Sequence, residues 1–118
     1  MSSDRYPIYL PQLLIYYMII YNVTTQVDHQ IARQWLQWMQ EEHIPGMIAT
    51  GCFDNATILR LIEVDETGGL TYAVQYHAAT KELYNHYIQT FADEMRKKTI
   101  HKWGDRFISF RSVLQVVN

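Results

Sequence analysis

Thr57-Ile-Leu-Arg-Leu-Ile-Glu-Val64, Asp65-Glu-Thr-Gly-Gly69 and Leu70-Thr-Tyr-Ala-Val-Gln-Tyr-His77 follow one another without interruption. The outer stretches are rich in β-branched and aromatic residues, which fit a pleated, half-buried surface. The middle stretch is turn chemistry, with two glycines to supply positive φ. Strands joined by so short a loop must pair antiparallel, so residues 57–77 read as a β-hairpin. The first of its strands extends back weakly to Cys52.

Working outward, Met18-Ile-Ile-Tyr-Asn-Val-Thr-Thr-Gln-Val27 has the composition of another strand. Asp28 stands where an N-cap belongs, and Ile31, Trp35 and Met39 then recur at four-residue spacing. Leu36 and Trp38 widen that stripe, and Pro45-Gly46 is expected to end the helix. After the hairpin, Thr80 is a second N-cap. It precedes a long helix with the stripe Leu83, Tyr84, Tyr87, Ile88, Phe91, Ala92 and Met95. Gly104 is placed to stop it, and residues 106–117 read as a last strand. The order strand, helix, strand, strand, helix, strand, with right-handed crossovers, predicts an α+β domain of ferredoxin-like βαββαβ type. That is a four-stranded antiparallel sheet with two helices on one face.

Length and composition agree with one such domain. The 118 residues are 48% hydrophobic and 19% charged, suited to one globular unit and too few for two ordinary ones. The domain is expected over residues 18–118. Residues 1–17 form an apolar, Pro-interrupted extension, read as a loosely attached arm or as sequence ahead of a natural start at Met18. Pro7 and Pro11 and the lack of a small-residue cleavage site argue against a signal peptide, and the run is too short to span a bilayer. The net charge of -2 points away from nucleic acid and anionic membranes. The lone Cys52 excludes an internal disulfide and fits a reducing, cytoplasmic setting.

Helices on one face leave the other sheet face bare, and a wet face should be polar on alternate residues. Here Ile20, Leu59, Leu61, Ile108 and Phe110 break that alternation, so the exposed apolar area would be large. A second copy is the economical cover, with the N-terminal extension as the rival cover, and a homodimer is expected, with Tyr21 and Phe110 as candidates for its seam.

The stretches Met18-Ile-Ile-Tyr-Asn-Val-Thr24, Glu42-His-Ile-Pro45, Ala49-Thr-Gly-Cys-Phe53, Thr71-Tyr-Ala-Val-Gln-Tyr76 and Gly104-Asp-Arg-Phe107 resemble an uncharacterised bacterial family, domain of unknown function 4286. The likeness covers residues 18–115 and leaves the extension outside. It implies a dimeric α+β barrel, in which two ferredoxin-like halves pair sheet to sheet. It implies no activity. The structural group includes cofactor-free monooxygenases, haem-degrading enzymes, isomerases and sensing modules, so fold alone does not choose among them.

The residues themselves offer few chemical constellations. His29 and His43 are separated along the first helix, as are His86 and His101 along the second, and no HxxxH, HExxH or CxxC spacing occurs. Neither a metal nor a cofactor is expected. Haem-degrading members of the fold resemble this chain in an Asn on strand one. However, Tyr87 and then Lys97 or Lys98 stand where their His is expected, so that pattern is incomplete. Cys52 with His43 upstream lacks a feature that would activate its thiol. Arg96, Lys97, Lys98, His101 and Lys102 read as cations favourably placed at a helix C-terminus. Asn22 and Arg60 are polar residues mid-strand, and Gln75 and His77 share one side of strand three. These four are the candidates for a pocket, with His77 as a base. The preferred expectation is a non-catalytic homodimeric module that binds a small molecule or a protein partner. The alternative is a small cofactor-free enzyme of the monooxygenase or isomerase type, working in a pocket between sheet and helices.

Overall fold

The computed structural model describes residues 17–118, so the expectation for the extension falls outside the described residues except at Tyr17. Four strands, β1 (Ile19–Val27), β2 (Asn55–Arg60), β3 (Leu70–Ala78) and β4 (Phe107–Gln115), form one antiparallel sheet in the order β2-β3-β1-β4. Between β1 and β2 run α1 (Ala32–Trp38), a wide π-helical turn (Met39–His43) and α2 (Ile44–Ala49). Between β3 and β4 run α3 (Lys81–Thr90) and α4 (Ala92–Trp103). This is the ferredoxin-like arrangement, with each helical stretch crossing from a centre strand to the non-adjacent edge strand.

Local signals account for the element ends. The Thr80 hydroxyl accepts the Leu83 N–H at 3.2 Å, as an N-cap should. Gly104, at φ 63°, turns the chain out of α4 while its N–H returns to the Ile100 carbonyl at 2.8 Å. Gly69 is at φ 144°, and a Cβ there would run into the Val27 carbonyl oxygen, so only glycine lets the hairpin lie against β1. Asp28 acts differently from an N-cap of α1. One of its oxygens accepts the Gln30 N–H at 2.8 Å, and the other takes the Arg106 guanidinium at 3.1 Å.

Two helix expectations are corrected. Pro45 does not end the first helix. The π-helical turn resets the register, and Pro45 falls in the first turn of α2, where its missing N–H has no bond to lose. The long second helix bends at Phe91, whose φ of -118° divides α3 from α4 although the carbonyl ladder continues through it. The first hairpin strand, β2, is shorter than expected, starting at Asn55 and stopping at Arg60.

Register assigns the faces. Tyr21 pairs with Tyr76, Val23 with Val74 and Thr25 with Tyr72, and on the other side Val23 pairs with Arg111 and Thr25 with Ser109. These residues share one face because paired side chains project to the same side. The helices cover that face. Trp35 stacks on Tyr72 at 5.2 Å, and Tyr21 packs among Phe53, Tyr84 and Tyr87 at ring separations of 5.5 to 6.0 Å. Trp35, Tyr21, Tyr76 and Tyr87 are almost wholly buried. Aromatic pairs of this kind contribute about 0.5–1.5 kcal/mol each beyond their buried area, so this cluster is a main anchor of helices to sheet.

The opposite face carries Asn22, Thr24, Gln75 and His77 at its centre and Ile108, Phe110 and Leu114 along the edge strand β4. Ile108 and Phe110 stand 71% and 62% exposed. Thus the apolar character expected of the bare face is real but lies along its edges, chiefly on β4, with Leu59 of β2 42% exposed at the other.

Candidate functional site

A cavity of about 410 Å³ lies between the helix-covered sheet face and the helices. Its floor is Tyr21, Val23 and Thr25 of β1 with Ser109 and Arg111 of β4. Trp35, Met39, His43 and Met47 form one wall, and Met95, Arg96, Thr99 and Ile100 of α4 form the other. On the β4 side Arg111 is exposed. Most of the lining is apolar, and its polar groups gather at one end.

There, the Tyr21 hydroxyl accepts two guanidinium hydrogen bonds, from an Arg96 terminal nitrogen at 3.1 Å and from Arg111 Nε at 2.9 Å. The bond to Tyr21 raises Arg96 above the usual guanidinium range. Arg96 Nε is buried with no partner among the described residues. Among the described residues, the ion pairs are Arg60–Glu66, Arg106–Asp28, Lys97–Asp93 and Lys98–Glu94, so neither Arg96 nor Arg111 meets a carboxylate there. Burial pushes the Tyr76 and Tyr87 hydroxyls upward, keeping them neutral phenols.

His43, in the π-helical turn, stacks on Trp38 at 4.7 Å. Burial, with a smaller contribution from the Lys98 charge, lowers its pKa to about 4, so the imidazole on that wall is neutral at physiological pH. On the floor the Thr25 and Ser109 hydroxyls satisfy each other at 2.7 Å.

The residues singled out from sequence fall elsewhere. Asn22 and Gln75 are register partners on the open face, and His77 lies on that face two residues along β3. Asn22 donates to the Thr24 hydroxyl at 2.9 Å, and His77 meets the Met18 sulfur at 3.3 Å while its Nε2 is buried without a partner among the described residues. Arg60 is on the helix side at the end of the edge strand β2, holding Glu66 with two bonds of 3.0 and 2.9 Å. Hence the four pocket candidates do not converge, because strand alternation puts three of them on the side away from the cavity. Tyr21 is likewise corrected as a seam residue: it is 2% exposed and sits under the helices. Phe110 keeps the exposure a seam requires.

Sequence reasoning missed Arg96 and Arg111. Arg96 was grouped with a solvated basic run, yet it alone turns inward, following buried Met95, while Lys97 and Lys98 pair with carboxylates on their own helix. Arg111 is the single charged residue of β4, which is the one available signal. Cys52 is 1% exposed with its thiol toward the Thr50 carbonyl, a packing role. Among the described residues, no group of three or more His, Cys, Asp or Glu is placed to hold a metal ion, and no helix is long and apolar enough to cross a membrane.

Comparison with known proteins adds the lineage. The family model described as a domain of unknown function, DUF4286, matches residues 18–117. A crystal structure of a dimeric ferredoxin-like protein from an uncultured marine organism is similar over 86% of this chain and 97% of its own, with a TM-score of 0.65 and 10% identity. No curated protein matches.

Proposed function

The chain belongs to the DUF4286 family, and from that premise we propose that it is a non-catalytic homodimeric module that holds a small ligand in the cavity between sheet and helices. The observation that carries the reading is the cavity itself. Its volume of about 410 Å³ falls within the range of small-molecule sites, and it has the usual build of apolar walls with a few convergent polar groups. Binding is favoured over proton transfer because His43, the imidazole at the cavity, is held near a pKa of about 4. A base is most effective when its pKa lies near the working pH.

The dimer is supported by the exposed Ile108, Phe110 and Leu114 of β4, which form an apolar edge to the open face, and by the description of the similar marine protein as dimeric. Residues 18–118 act as the unit, and a reducing cytoplasmic compartment suits the single buried thiol of Cys52.

Native mass spectrometry of freshly purified protein tests both parts. The expected result is a dimer that retains, or takes up on addition, a small aromatic compound and sheds it on denaturation. A monomer would refute the assembly. A dimer that neither retains nor accepts any such compound would refute the ligand.

A further inference from the structure

Resting on the cavity reading above, we propose that the ligand is a compact, largely apolar monocarboxylate, its carboxylate held by Arg96 and Arg111 beside the Tyr21 hydroxyl. Two guanidinium groups, one from α4 and one from β4, converge on a single neutral phenol oxygen at 3.1 and 2.9 Å. That is a poor electrostatic match for two positive charges, since a phenol brings dipole but no charge. A carboxylate offers two oxygens with about four lone-pair positions, enough to engage both forks and leave one for a hydroxyl donor. Tyr21 oxygen accepts in both of its observed bonds, so its own proton is available to such an anion. Arg96 Nε, buried and without a partner among the described residues, is the further donor that side-on pairing with a carboxylate uses.

The rest of the cavity describes the ligand's body. Trp35, Met39, Met47, Val23, Val74 and Phe107 line it with ring and thioether surface, which suits a flat apolar or aromatic group. His43 brings no second positive charge to the other wall, because burial keeps it neutral. A dicarboxylate would therefore leave one charge unmatched in a mostly apolar enclosure. Planar bidentate geometry and a single negative charge favour a carboxylate over a phosphate monoester.

The test uses three probes of one shape, 2-naphthoate, 2-naphthamide and 2-naphthyl phosphate, titrated calorimetrically into the full-length dimer and into Arg96→Gln and Arg111→Gln variants. Wild-type protein should prefer the carboxylate over the amide at least tenfold, and each variant should lose most of that preference. Arg111 is exposed, so its variant should fold normally, and thermal unfolding of both variants verifies this. Equal affinity for carboxylate and amide, or a preference that survives both substitutions, would overturn the anion assignment and leave the cavity reading standing. Tighter binding of the phosphate would overturn the carboxylate class. Absence of binding by all three probes would overturn the cavity reading and this inference with it.

Discussion

Phe110→Ala should weaken the dimer far more than it disturbs the subunit. Phe110 is 62% exposed in one chain and flanked on the same face by Ile108 at 71%. Full burial of a Phe side chain is worth roughly 1.5–3 kcal/mol, so covering the exposed part contributes about 1–2 kcal/mol per subunit. A two-fold seam contains the residue twice, so truncation should cost about 2–4 kcal/mol of association, or roughly 30- to 700-fold in Kd. Sedimentation equilibrium over a dilution series reads this directly. Phe110→Glu should leave only monomer at micromolar concentration, because an unpaired carboxylate would be desolvated in the seam. The control is Ile88→Ala on α3, which alters a side chain of 37% exposure on the helical side and should leave Kd unchanged. The reasoning is refuted if both Phe110 variants associate within about threefold of wild type, since the seam then lies away from this edge.

Other perturbations probe the scaffold. Gly69→Ala combines a positive φ with a Cβ driven into the Val27 carbonyl, and should destabilise by on the order of 3 kcal/mol in urea unfolding. A change below 1 kcal/mol would mean the hairpin sits differently on β1. His43 has a folded pKa of about 4 against 6.5 in the unfolded chain, so the unfolded state binds the extra proton between those values. Stability should therefore be fully present above about pH 6.5 and fall by up to about 3 kcal/mol as pH drops toward 4. His43→Gln should flatten that part of the profile, and an unchanged slope would assign it to other groups. Arg60→Ala removes a salt bridge whose partners are 49% and 33% exposed, and should leave the urea unfolding midpoint close to that of wild type. A larger loss would give that edge a role its exposure does not suggest.

The signals that survived from sequence to structure are local ones. The hairpin at Gly68-Gly69, the Thr80 cap and the Gly104 stop each depend on backbone requirements a few residues long, and each is where its residue type demands. Pro45 misled because its effect depends on register. A proline breaks a helix only if its nitrogen was needed, and the π-helical turn moved it to a place where it was not. Tyr21 misled because it was assigned to the bare face. In the sheet, the set Ile19, Tyr21 and Val23 faces the helices and Ile20, Asn22 and Thr24 faces away.

The sequence by itself determined the succession of elements, the antiparallel hairpin at their centre and hence the ferredoxin-like fold, because periodicity and turn chemistry act between neighbours in the chain. The tertiary structure alone decided which side of each strand the helices cover, and so separated Asn22, Gln75 and His77 from the cavity. It also brought Arg96, on a helix, and Arg111, fifteen positions later on an edge strand, to the hydroxyl of Tyr21. Nothing in chain spacing encodes that meeting. It arises because strand pairing fixes where Arg111 projects and helix packing fixes where Arg96 projects, and only the assembled layers make the two directions cross.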